Sequence, residues 1–347
     1  MADSPPKQPT WLVSAPPHVH GPDSTPRIMW SVTASLAPAT LAGFWLFGIS
    51  AVMVVLASVL GAVVTERLCG QKGSLMDGSG VITGLLLGLT LPPGLPMWMA
   101  FVGGAFGIGF GKLIFGGLGH NVFNPALLGR AFLQAAFPVA ITTWPTTGGG
   151  FFTLKGDTFA LPLMTPRLNV EGGVDVVTEA TPLGLMKFEQ QGTELLDLLL
   201  GRTTGCVGET SALLILLGGL VLAWRGYLDW RIPTAILATV AAVGCLLWAI
   251  DYQAYPGGPL FLLGSGGLML GAVYMATDMV TSPVTRRGAW IYGVGIGLLV
   301  VLIRVWGGLS EGVMYAILLM NTLVPYINRK TQPRVFGTRL RKVEAEG

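Results

Sequence analysis

The chain is poor in charge. Only 11% of its 347 residues are Asp, Glu, Lys or Arg, against about 25% in a soluble domain, too few for an ordinary solvated surface. Cysteine is scarce too. Cys69, Cys206 and Cys245 show no CxxC or metal-ligand spacing, which excludes a disulfide framework and a cysteine-ligated cluster. The three histidines, His18, His20 and His120, are poor material for a metal or haem site, so no metal is expected. Residues 1–27 are polar and proline-rich without an apolar h-region, so no cleavable signal peptide is expected. Nothing in the chain points to a nucleic-acid partner.

Apolar residues and glycine dominate instead. The chain is 52% hydrophobic with 50 glycines, and glycine is commoner in membrane helices than in soluble ones. Several runs of about 20 residues carry few or no charges, enough to cross a hydrocarbon core of about 30 Å. The reading is an all-α polytopic membrane protein embedded in lipid. Ten spans are expected, at 28–47, 49–68, 79–95, 96–115, 122–138, 206–224, 233–250, 258–278, 289–306 and 308–327. The third and eighth, "GSGVITGLLLGLTLPPGLP" and "GSGGLMLGAVYMATDMVTSP", have early glycines and a late polar or proline break. Interrupted spans are tolerated where they line a protein-buried cavity, and they often form binding sites.

Lys and Arg set the orientation. With the N-terminus inside, 15 of the 21 basic residues fall on the inner side, Lys112 among them. Four, Lys155, Arg167, Lys187 and Arg202, fall on the other, all within 139–205. Both chain ends are therefore expected in the cytoplasm and the large loop outside it. The organisation is a cytoplasmic tail (1–27), a five-helix half (28–138), an extracytoplasmic segment (139–205), a second five-helix half (206–327) and a basic tail (328–347).

The halves look alike. "GGLGHNVFNPALLG" (116–129) and "GGLSEGVMYAILLM" (307–320) share six identities in 14 positions, and Gly78-Ser79-Gly80 pairs with Gly264-Ser265-Gly266. An odd number of spans per half makes the two inverted in the membrane, with sites expected at their interface.

Five polar residues in the spans stand out. An ionised Asp or Arg at mid-bilayer costs about 2.5–3.5 kcal/mol on insertion scales, so Arg130, Glu209, Asp278 and Glu311 need partners or water. Asp278, beside Thr277 and Thr281 in the broken span, suits a site. Glu311 suits a helix cap near the outer surface. For Arg130 and Glu209 structural support and site-lining are equally good readings. Asn124 precedes Pro125, and its amide can satisfy backbone groups the proline frees.

Six stretches then converge. "DGSGVITGLLLGLTLPP", "GHNVFNPALLGRAF", "DVVTEATPLG", "GCVGETSALLILLGG", "ATDMVTSPVTRRG" and "GVMYAILLMNTLVPYIN" run in order from residue 77 to 328. Together they resemble the RnfD/NqrB family, membrane subunits of Rnf electron-transport complexes and of the sodium-pumping NADH:quinone reductase. The length and the "ATPL" ending are nearer the RnfD branch. The resemblance implies a bacterial inner-membrane protein with the ten-helix inverted repeat of urea transporters. It implies FMN held by a phosphoester on the threonine of an S/T-x-A-T motif, here Thr181, loaded by a flavin transferase. Glu179 stands where the family usually has glycine. The implied partners are a second covalent flavoprotein subunit and iron–sulfur subunits, and the implied activity is an ion-translocating ferredoxin:NAD oxidoreductase, a translocase that moves Na+ or H+. A second, non-covalent flavin such as riboflavin is implied by the NqrB branch.

Thr181 also reads as an ordinary helix N-cap before Pro182. The two roles are compatible, because a helix N-terminus favours an anion, and Lys187 is a candidate basic partner for the phosphate. Thr178 is the rival acceptor. Two other functions stay open: a urea-transporter-like solute channel, and a structural anchor for redox partners.

Overall fold

A computed structural model describes residues 23–70, 74–145, 150–156, 158–162, 180–189, 192–194, 197–198, 201, 203–209, 211–252 and 257–333. Thr178, Glu179 and the basic tail beyond residue 333 lie outside the described residues.

Every expected span has a helical counterpart. α1 is Thr25–Phe47, α2 Ile49–Cys69, α3 Ser79–Leu89 and α4 Met97–Leu113, the last turn of which is a π-turn. α5 is Pro125–Ala136, α6 Ala212–Trp224 and α7 Arg231–Ile250. α8 is Gly258–Gly264 and α9 Leu268–Met275, bent by 66° at the break between them. α10 is Arg286–Trp306 and α11 Val313–Lys330. Among the described residues, four helices are long and apolar enough to cross a membrane, and there is a fifth crossing if the bent pair counts as one span. No β-strand occurs among the described residues. The result is an all-helical, multi-pass membrane protein.

The breaks fall at the polar and proline signals of the sequence. α3 ends at Leu89, ahead of Pro92-Pro93, and its 11 residues reach only about 16 Å. That is about half of a hydrocarbon core of roughly 30 Å. α8 stops at Gly264, where Ser265 is extended and Gly266 takes a left-handed φ of +67°.

The long helices carry tryptophan near both ends. Trp30 and Trp45 mark α1, Trp230 and Trp248 mark α7, and Trp290 and Trp306 mark α10, all of them exposed. At 1.5 Å per residue each pair is about 22–27 Å apart. This is the spacing of aromatic belts at the two membrane surfaces.

One face gathers the start of α1, the end of α6, and the starts of α7 and α10. Tyr227 donates to Asp23 at 2.7 Å, and the Trp230 and Trp290 rings meet edge to face at 6.2 Å. The end of α11 joins them through Val284 N–H and Asn328 Oδ1 at 3.1 Å. The segment after α5 lies on the opposite face. There Ile49 N–H donates to Phe151 O at 2.8 Å and Met97 N–H to Thr158 O at 3.1 Å.

Glycine lets the central helices touch. A Cβ on Gly61 would overlap the carbonyl oxygen of Phe101, and one on Gly104 would overlap that of Ser58, so α2 and α4 pack backbone to backbone. Small residues are the usual means of close helix approach in lipid. Gly104→Leu is therefore expected to abolish the monodisperse peak of detergent-solubilised protein in size-exclusion chromatography. Gly109→Ala, whose Cβ would meet only Thr65 Cγ2 at 3.9 Å, is expected to keep it.

Candidate functional site

Two cavities lie on opposite sides of the helix breaks. The outer one, on the face of the 139–205 segment, has a volume of about 350 Å³. Thr181 lines it with Arg130, Gln134, Trp144, Phe188 and Glu311. The other holds about 90 Å³ and is lined by Asn124, Asp278, Lys112, Thr83 and Tyr274 among others.

Thr181 sits at the head of one helical turn. Its extended backbone (φ −64°, ψ 154°) and Pro182 at the first position start the turn, and its Oγ1 accepts from Gly184 N–H at 3.2 Å. The turn is short: Pro182–Gly184 is α-helical and Leu185–Glu189 continues as a π-turn. A macrodipole sums over aligned peptides, so this short piece gives less help to an anion than a full helix. What holds Thr181 in place is its surroundings. Leu183 is buried in a small cluster with Leu198 and Phe261, against which Met186 packs.

Lys187 fastens the other end. Its Nζ donates to the carbonyls of Ile303, Gly307 and Leu309, the last at 2.9 Å. These lie at and beyond the C-terminus of α10, the negative end of that helix, where a cation is favoured. The ammonium expected to face the phosphate is thus spent on carbonyls. Partial burial also pushes the Lys187 pKa below the usual lysine range.

Arg130 forms the floor of the outer cavity. It projects from α5, and its Nη2 donates to Glu311 Oε2 at 2.7 Å and approaches Cys206 Sγ at 3.7 Å. Its Nε is buried and has no hydrogen-bond acceptor among the described residues. Glu311 Oε1 accepts from Gly267 N–H at 2.6 Å. It therefore caps a helix, as its sequence position suggested, but the helix is α9 across the break. Glu209 lies behind, its Oε2 accepting from Cys206 N–H at 3.3 Å. The ligand atoms of Cys206, Glu209 and Glu311 all lie within 4.8 Å of one another.

Asn124 and Asp278 belong to the smaller cavity. Asn124 caps α5, accepting from Ala126 and Leu127 N–H at 3.0 and 3.3 Å, and its Nδ2 donates to Met275 O at 3.1 Å. Asp278 accepts from Thr281 Oγ1 at 3.1 Å, whereas Thr277 turns back to its own helix at Val273 O. The sequence-derived residues thus fall into two groups, Thr181 with Arg130 and Asn124 with Asp278, with Glu209 behind the first.

Sequence reasoning missed two buried cations. Lys112, which the sequence places among the inner loop charges, is 2% exposed and donates to Glu66 Oε1 and Ser79 Oγ, both at 2.5 Å. Arg304 is 4% exposed and donates to Leu262 O at 2.6 Å and Ser265 O at 2.9 Å. A charge inside a span was the available signal, since Glu66 falls within 49–68, Lys112 within 96–115 and Arg304 within 289–306.

Comparison with known proteins agrees with this picture. The model of the "NQR2, RnfD, RnfE" family matches residues 12–337. The chain is 41% identical to a subunit of the proton-translocating ferredoxin:NAD(+) oxidoreductase complex of Clostridium ljungdahlii, covering 98% of this chain and 100% of the relative. It is 40% identical to the corresponding subunit of the Na(+)-translocating ferredoxin:NAD(+) oxidoreductase complex of Acetobacterium woodii, covering 96% and 98%. It is 43% identical to that of the ion-translocating oxidoreductase complex of Stutzerimonas stutzeri, covering 92% and 94%. With its broken helices, buried charges and near-complete match, the chain belongs to the NQR2, RnfD, RnfE family.

Proposed function

We propose that this chain is the membrane flavoprotein subunit of an ion-translocating ferredoxin:NAD oxidoreductase, with FMN esterified to Thr181. The observation that carries the reading is that Thr181 and the Arg130 guanidinium line the same cavity of about 350 Å³. Sites of about 300–1,000 Å³ hold ligands of this class. Arg130 suits the anionic phosphate or the electron-rich edge of the ring, and Trp144 and Phe188 offer apolar faces at the wall. Bound there, flavin supplies one- or two-electron transfer, while the protein supplies position and field.

The rest of the assignment follows. Relatives named for proton and for sodium transport match this chain equally well, at 41% and 40% identity, so ion choice does not track overall similarity. Asp278 and Asn124, at the cavity on the other side of the breaks, are the proposed ion-path residues. Glu209, beside the Arg130–Glu311 pair, is the proposed link to the flavin. A second flavin such as riboflavin would require the 90 Å³ cavity to widen. The partners are the other Rnf-type subunits, including a second covalent flavoprotein and iron–sulfur subunits, with a flavin transferase for maturation.

The chain is read as ten helical segments in two inverted halves, of the urea-transporter type. Support comes from matched packing: α2 lies against α3 and α4 as α7 lies against α8 and α10. Each Gly-Ser-Gly break also holds a buried cation, Lys112 at Ser79 and Arg304 at Ser265. In the bacterial inner membrane, the face with the start of α1 and the end of α11 is cytoplasmic and Thr181 is periplasmic. A solute channel accounts for the broken helices but leaves the Thr181 cavity without a role. A purely structural anchor accounts for the Arg130–Glu311 pair but leaves the Thr181 cavity without a role.

Four outcomes are expected. Intact-mass and tryptic analysis finds the FMN phosphoester increment on the peptide containing Thr181. In-gel fluorescence disappears in Thr181→Ala and survives in Thr178→Ala, and a fluorescent Thr181→Ala band sinks the assignment. In a cysteine-free background, Ser310→Cys is labelled by a membrane-impermeant maleimide from the periplasm, and Val284→Cys only after the membrane is opened. Arg130→Gln strands Glu311, a loss of about 3–5 kcal/mol for a buried pair. The double variant with Glu311→Gln is expected to recover thermal stability relative to either single change.

A further inference from the structure

A third cavity, of about 450 Å³, lies on the outside of the bundle between α1 and α6. Its walls are Arg27, Trp30, Ser31, Ala34 and Ser35 from one face of α1, and Val221, Leu222 and Arg225 from the end of α6. The α1 residues recur at i, i+3, i+4, i+7 and i+8, the spacing of one helix face. Three of the five are small, and that leaves the groove. The helices touch again at its floor, where a Cβ on Gly218 would overlap the carbonyl oxygen of Ser35.

The groove is polar at one end only. Ser31 Oγ donates to Arg27 O at 2.7 Å and Ser35 Oγ to Val32 O at 2.7 Å, so both hydroxyls spend their hydrogens on their own helix. Ala34, Val221 and Leu222 leave the wall apolar. Arg27 in the first turn of α1 and Arg225 just past α6 stand at the mouth, level with the Trp30 ring. Among the described residues, Asp23 is the acid that pairs with Arg27. It sits 3.9 Å from Arg27 and also accepts from Tyr227 at 2.7 Å. Arg225 has no ion-pair partner among the described residues and brings a positive charge to the mouth.

We propose that this groove binds an acidic glycerophospholipid, its phosphate between Arg27 and Arg225 and an acyl chain along Ala34 and Leu222. An apolar trough capped by two guanidinium groups at the aromatic belt matches an anionic headgroup joined to a hydrocarbon tail. Basic pockets between membrane helices are suited to acidic lipid headgroups. A partner helix would put its side chains against the trough but would leave Arg225 without an anion. The lipid would also brace the inner cavity, because Leu222 lines both and Tyr274 reaches across to Ser35 at 3.1 Å.

The test is native mass spectrometry of the purified full-length chain. Dioleoyl phosphatidylglycerol is titrated against dioleoyl phosphatidylcholine. One phosphatidylglycerol is expected to be retained selectively. Arg27→Gln with Arg225→Gln is expected to weaken that retention about thirty-fold, leaving phosphatidylcholine unchanged. Ala34→Phe, which fills the trough and keeps both arginines, is expected to remove the bound lipid. Retention that survives Ala34→Phe points to a phosphate held without its chain and overturns the proposal. Arg286→Gln with Arg287→Gln, which removes exposed charge at the same face outside the groove, is expected to change nothing. A loss equal to that of the groove variant means general surface charge, and again overturns it. A photo-crosslinker at position 34 in the assembled complex is expected to capture lipid, and capture of another subunit assigns the groove to a protein partner instead.

Discussion

Everything in this fold depends on satisfying backbone groups where helices stop inside a membrane. Hydrocarbon offers no water, and each unpaired amide or carbonyl there costs several kcal/mol. α8 ends at Gly264, and Arg304 takes up the freed carbonyls of Leu262 and Ser265. α9 begins just beyond, and Glu311 accepts the amide of Gly267. At the first break, Asp77 accepts from Ser79 N–H at 2.8 Å, and Lys112 joins Ser79 to Glu66. Charges that insertion scales count as costly are here the groups that make an interrupted helix tolerable. Replacing them with apolar residues would empty the breaks of partners, so the pairs and the breaks stand or fall together.

The same requirement builds the site. Once Glu311 is committed to Gly267 and Arg130, a guanidinium is fixed at the floor of the outer cavity. The Thr181 turn is brought over that floor by Lys187, which caps α10, and by Leu183, which packs against Phe261 and touches Gly266 at the break. The outer segment therefore rests on the membrane domain at the point where the second break occurs.

Much of the architecture was legible from the sequence because its causes are local. Charge-free runs, glycine-rich starts and Pro92-Pro93 mark helices and their ends to within a few residues. The Thr181 cap was legible for the same reason, since Pro182 and the threonine hydroxyl act within one turn. Asn124 was readable as a backbone-satisfying amide, but its second partner, Met275, is 151 residues away. Glu311 was readable as a cap, though nothing local says that its helix is α9 or that its cation is Arg130, 181 residues distant. Lys112 misled most. A lysine near a helix end looks like a loop charge, and only the fold shows that Glu66 waits for it inside. Lys187 misled in the same way, because the α10 carbonyls that claim it are brought near by packing alone.

Two of these long-range partnerships, those of Asn124 and Arg130, share α5. Its first residue is capped by Asn124, whose amide reaches Met275 at the end of α9. Arg130, about 9 Å further along the axis, reaches Glu311 at the start of α11. One 12-residue helix of the first half is thus tied at two levels to the second half, and each tie lies beside a different cavity. The Asn124 tie borders the small cavity with Asp278, and the Arg130 tie borders the large one with Thr181. A rigid helix cannot rotate or slide at one end alone, because its own backbone hydrogen bonds carry the movement to the other. The two cavities therefore share a mechanical element, and any displacement of Arg130 along the helix axis must also load the Asn124–Met275 bond.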